Sequence, residues 1–65
     1  MKLVELLKTM NNEEIILVVD AIDENEVLHQ GKVKDVKAIK SRKVLKIEHY
    51  SDGGTFLGIK IKVER

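Results

Sequence analysis

The residues of this 65-residue chain with chemistry to offer are two histidines, a few hydroxyls, a paired glycine and two runs of opposite charge. His29 and His49 each fall on an otherwise apolar strand face by alternation, and imidazole both titrates near neutral pH and ligates metal. If their strands paired suitably, the two would meet in a pH-sensitive or weak metal site. Partial burial with one hydrogen bond is the commoner fate of such a histidine. Structural zinc needs a full set of Cys and His ligands, and the chain has no Cys and only these two His. The acids between Asp20 and Glu26 lack the spacing of a calcium loop and the glycine at its sharp turn. Gly53-Gly54 has no Lys-Ser/Thr pair or helix after it, so it reads as a hairpin turn and not as a phosphate loop. Ser41, Ser51, Thr9 and Thr55 sit in no nucleophile motif. A core this small leaves little room for a substrate pocket. The expectation is a non-enzymatic protein with no catalytic residue, no cofactor and no metal.

Charge is the more informative feature, because its signs separate along the chain. Residues 9–31 carry six acids, Glu13, Glu14, Asp20, Asp23, Glu24 and Glu26, and neither Lys nor Arg. Lys32, Lys34, Lys37, Lys40, Arg42, Lys43 and Lys46 then follow against Asp35 alone. The net charge of +1 conceals an acidic turn (Asp20, Asp23, Glu24, Glu26) and a basic connection. Either block is a candidate partner-binding surface. The plainer reading of the basic block is a solvated loop and a lysine-guarded strand edge. Nucleic acid ranks below protein as a partner. The aromatics for base stacking are only Tyr50 and Phe56, and a pI near 8.0 is modest for a backbone binder.

These groups must be positioned by a short list of elements. Leu3, Leu6, Leu7 and Met10 fall at helical spacing over residues 2–10, with Asn11 and Asn12 suited to a left-handed stop. Glu14 to Asp20 is rich in β-branched residues and reads as a strand apolar on both faces, with Ile15, Leu17 and Val19 one way and Ile16 and Val18 the other. A polar turn leads to a second strand, Val27 to Val33, with Val27, His29, Gly31 and Val33 on one face. Gly31 there marks a bulge or a close backbone approach. Val36 and Ile39 suggest a helical turn within 35–43, capped by Asp35. Residues 44–50 and 57–63 form a second hairpin about Ser51-Asp52-Gly53-Gly54. In its last strand Leu57, Ile59, Ile61 and Val63 face a core, while Gly58, Lys60, Lys62 and Glu64 face solvent.

The sum is one α+β domain spanning residues 1–65. A short N-terminal helix packs on a four-stranded, mostly antiparallel sheet of two hairpins, open or curled toward a small barrel. One short helix cannot cover both faces of residues 15–19, so Ile16 and Val18, or their opposites, are the expected interface of a homodimer. No apolar run has the length of a membrane helix, and the apolar start is too short for a signal peptide. The cytoplasm is therefore the expected compartment, with no membrane contact.

The opening Met1-Lys2-Leu3-Val4-Glu5-Leu6-Leu7, the apolar strand ending at Asp20, Gly31-Lys32-Val33-Lys34-Asp35 and Leu57-Gly58-Ile59-Lys60-Ile61 together resemble short uncharacterised proteins encoded by phages and prophages of Gram-positive bacteria. That resemblance implies an accessory protein that binds a host protein, including a component of host defence, and it assigns no functional residue. The leading expectation is a dimeric protein-interaction module that inhibits or regulates its partner. A nucleic-acid-binding protein using segment 32–46, and a structural subunit of a larger assembly, are the alternatives.

Overall fold

The computed structural model describes residues 1–51, 53 and 57–64. Helix α1 (Leu3–Leu7) is followed by strands β1 (Ile15–Asp20) and β2 (Val27–Lys32), a 3-10 turn (Val33–Asp35), and strands β3 (Val44–Ser51) and β4 (Leu57–Val63). The expected turn at Ser51-Asp52-Gly53-Gly54 is described only at Ser51 and at Gly53, whose φ of 91° suits glycine. Asp52, Gly54, Thr55 and Phe56 lie outside the described residues.

The strand order is β2-β1-β4-β3. Both expected hairpins form, β1 with β2 and β3 with β4, each antiparallel. They join through a parallel pairing of β1 with β4 that sets Val18 beside Ile61. The sheet is therefore mixed, and among the described residues it is open, with β2 and β3 at its edges.

One face carries the main core. Ile16 and Val18 from β1 and Ile61 and Val63 from β4 meet Leu3 and Leu7 of α1, with Val33 and Val36 from the connection. Each such aliphatic side chain, fully withdrawn from water, contributes about 1.5–3 kcal/mol. Leu6, Met10, Leu28, Ile39, Val44 and Ile59 surround them. Ile16 and Val18 have no exposed surface, so they are not available as a dimer interface. The expectation failed because β1 is an interior strand and the 33–39 connection reinforces the helix over it.

Leu17 and Val19, on the opposite face, are also buried. Their neighbours across the parallel pair are Lys60 and Lys62, which the alternation had assigned to solvent. Both lysine side chains are only 17% exposed. Tyr50 packs against the apolar pair, and the lysines' methylene stems complete its cover while their ammonium groups reach its rim.

Local details also depart from the sequence reading. The helix ends at Leu7, and Asn11 closes the following turn by accepting the Glu13 N–H on Oδ1 at 2.9 Å. No described residue other than glycine has a positive φ, so no asparagine adopts the left-handed stop. The helical turn expected within 35–43 lies earlier, at Val33–Asp35, and Asp35 ends it instead of capping it. Its two inward residues, Val36 and Ile39, do reach the core. The bulge of β2 lies at Leu28, not at Gly31. Val18 opposes His29 and Val19 opposes Val27, which puts Val27 on the opposite face from His29. Gly31 instead has a φ of 148°, a backbone that side-chain-bearing residues rarely adopt.

Candidate functional site

The connection from Val36 to Lys43 has little regular structure, yet its backbone is tied on both sides. A helix start leaves N–H groups without intrahelical acceptors. Here Leu3 N–H donates to the Arg42 carbonyl at 2.8 Å and Val4 N–H to the Lys40 carbonyl at 2.9 Å. Glu5 Oε1 accepts the Lys2 N–H at 2.8 Å. Lys2 cannot complete a reciprocal cap, since an ammonium has no acceptor. On the other side the Lys43 carbonyl accepts Glu64 N–H, and Val44 N–H donates to the Met1 carbonyl, both at 2.8 Å. Because Val36 and Ile39 point inward, Lys37, Lys40 and Lys43 point out and are exposed, with Arg42 half-buried.

The candidate basic residues divide into two groups. Glu13 accepts Lys32 at 2.8 Å and Lys34 at 3.0 Å. Those hydrogen bonds, Lys32's first, hold its carboxyl below the ordinary glutamate value. Lys37, Lys40, Arg42, Lys43 and Lys46 enter no ion pair among the described residues. Glu24 of the acidic turn is drawn instead to the lysines of β4. Glu24 bridges Lys60 at 2.9 Å and Lys62 at 3.1 Å, and Glu48 meets Lys62 at 2.9 Å. Glu24 is thereby held below its ordinary value by Lys60 and then Lys62, and Glu48 by Lys62. Lys62 is raised above its ordinary value by Glu48 and then Glu24.

Beside this connection lies an open cleft of about 370 Å³. Val4, Leu7 and Val33 form its apolar wall, and Lys8, Lys34, Lys40 and Asn12 its polar rim. Helix and connection therefore place amines around a patch of aliphatic surface, an arrangement that accepts an acidic side chain together with its hydrocarbon stem.

The acidic candidates serve the turn itself. Asp20 is 0% exposed, and its Oδ1 accepts the N–H groups of Ile22 at 2.8 Å and Asp23 at 3.1 Å. Asp23 Oδ1 accepts the Asn25 N–H at 3.1 Å, and its carbonyl accepts the Glu26 N–H at 3.0 Å. Asp20 is thus withdrawn as a partner-binding residue, because burial leaves it nothing to present. Asp23 and Glu24 are engaged within the chain.

The histidines do not meet. His29 lies on β2 and His49 on β3, at opposite edges of the sheet, about 14 Å apart by three interstrand spacings. His29 Nε2 lies 3.1 Å from the Lys32 carbonyl, which it reaches as a donor. No group of three or more metal-ligating side chains occurs among the described residues. Of the hydroxyl candidates, Thr9 donates to the Leu6 carbonyl at 2.7 Å, which closes the helix end. No described helix is long and apolar enough to cross a membrane.

Sequence reasoning missed the clamp between residues 1–4 and 40–44, since backbone hydrogen bonds leave no mark in side-chain pattern. It also missed the exposure of the apolar residues Leu45 and Ile47 on edge strand β3, which needed the strand order to be known. No family model, no curated protein and no solved structure matches this chain.

Proposed function

We propose that the chain is a non-enzymatic protein-interaction module, working as a homodimer, which binds an acidic surface of another protein through Lys37, Lys40, Arg42 and Lys43 and regulates it by occlusion. One observation carries this reading: those four cations have no acidic partner among the described residues, whereas Lys32, Lys34, Lys60 and Lys62 are all neutralised within the fold. The backbone bearing them is already tied to α1 and to Glu64, so less ordering is left to be done on binding. Unneutralised charge steers encounter and fixes orientation, while the aliphatic wall of the neighbouring cleft offers the desolvated contact that holds the complex.

Protein stands ahead of nucleic acid because the Tyr50 ring lies beneath the Lys60 ammonium, 5.4 Å from centroid to nitrogen, and is not offered to a base. The test is capture from lysate by the native chain and by a variant with Lys37, Lys40, Arg42 and Lys43 all changed to Glu. The expected result is a specific protein bound by the first and lost from the second, with both chains equally folded by circular dichroism. Undiminished capture by the variant would move the contact elsewhere. Tight, salt-sensitive retention of duplex DNA in place of protein would replace this reading with the nucleic-acid one.

A further inference from the structure

We infer that β3 is the seam of a twofold homodimer, in which two copies pair their free β3 edges antiparallel about Ile47. This rests on the dimeric part of the proposed function and specifies where the copies meet.

The sheet has two edges, and they are guarded differently. β2 is short, carries the extra residue Leu28 between Val27 and His29, and holds Gly31 at a φ of 148°, features that twist an edge away from further pairing. β3 is longer, at eight residues, and its own register shift, at Leu45 between Val44 and Lys46, lies near its start and leaves Lys46 to Ser51 regularly paired. Among the described residues its outer edge is occupied only at the start, where Lys2 bridges Lys43 and the Met1 carbonyl takes the Val44 N–H. From Leu45 onward no described strand lies beyond it. There the chain exposes Leu45 at 54% and Ile47 at 46%. Ile47 sits directly beside the fully buried Ile61, so this apolar surface continues the main core.

The sequence of the strand selects both occupant and register. A twofold axis perpendicular to the sheet keeps each face continuous with its own copy, so it must pass through a residue and not between two. Centring on Lys46 sets lysine against lysine, and centring on Glu48 sets glutamate against glutamate. Both are unfavourable cross-strand pairs. Centring on His49 carries Leu45 and Lys46 past the end of the opposing strand. Centring on Ile47 places Lys46 opposite Glu48 of the second copy, twice by symmetry, with Ile47 opposite itself and Leu45, at the register shift, just outside the regular pairs. Lys46 enters no ion pair among the described residues, and Glu48 meets Lys62 through Oε1, which leaves Oε2 for the incoming lysine. The same register begins at Lys46, past both the Met1 clamp at Val44 and the register shift at Leu45. Charge match and steric limit therefore agree.

The test is sedimentation velocity of the full chain from micromolar to millimolar concentration, for the native sequence, Lys46→Glu, Glu48→Lys and the double exchange. The native chain doubles its mass with concentration. Each single reversal sets two like-charge pairs across the seam and weakens dimerisation about tenfold or more. The double exchange restores the match and with it the dimer. Thermal melts of the four chains separate this from loss of the Glu48–Lys62 contact. Ile47→Cys adds a second readout, a symmetric disulfide under mild oxidation in a chain with no cysteine of its own. A chain monomeric at every concentration would overturn the dimer itself and leave the edge to a strand of a different protein. A persistent dimer that ignores the single reversals, or that the double exchange does not restore, would overturn the seam while keeping the dimer.

Discussion

Two lysine-rich regions of this molecule use the same side chain in opposite ways. Lys60 and Lys62 lie along β4 over Leu17 and Val19, and their ammonium groups are bound by Glu24 and Glu48. Lys37, Lys40 and Lys43, with Arg42 among them, extend from a backbone pinned to the helix start and meet no acid among the described residues. Adjacency to apolar surface and availability of an acid explain the difference. Tyr50 packs against Leu17 and Val19 and the lysine stems complete the cover, and the β1–β2 turn delivers Glu24 to the far ends of the lysines. No acid among the described residues pairs with the cations of 37–43, and Glu13 is held by Lys32 and Lys34. Lysine in the first region is part of the fold. In the second it is available to a partner.

The most severe way to break this contrast is to remove what the lid covers. Leu17→Ala is expected to cost about 2–4 kcal/mol in urea unfolding, because the mobile lysine stems can follow the smaller side chain only in part. For so small a domain, that is a large share of the total stability. If the cost is below about 0.5 kcal/mol, as for a surface position, the lysines do not form a lid.

A smaller effect sharpens the comparison through pH. The carboxyls of Glu24 and Glu48 are lowered from the ordinary 4.5 by their lysine partners. Their contribution to stability is therefore present above the unfolded value and lost as pH falls through the lowered folded values. Lys62 is raised from the ordinary 10.5, so its contribution lasts until the pH climbs through the raised value. The lid is closed between these limits. Urea midpoints followed downward through the acid range should fall more for the native chain than for Glu24→Gln combined with Glu48→Gln. Equal falls would mean that other carboxylates carry the acid sensitivity.

The strands were legible in the sequence because β-branched runs and the alternation of residues 57–63 depend only on a period of two. The partners of those strands were not. Residues 15–19 read as needing a second chain, because one helix was set against two apolar faces. Nothing local in the chain reveals that β4 would lie parallel beside β1 and bring Lys60 and Lys62 over Leu17 and Val19. The charge blocks misled for a similar reason. Separate along the chain, they meet across it, so that Glu13 finds Lys32 and Lys34 through the antiparallel return of β2. Only the part of the basic block that no strand return brings near an acid remains as it read, and that part is the candidate site.

The lysines of β4 belong to the fold and those of the connection do not. The decisive experiment for this division is urea unfolding of two charge-reversed chains at neutral pH, one with Lys60 and Lys62 changed to Glu, the other with Lys37, Lys40, Arg42 and Lys43 changed to Glu. The first chain is expected to show a clearly lowered midpoint and the second a midpoint close to native, despite its twice as many substitutions. A native midpoint in the first chain, or a collapse of the second, would contradict it.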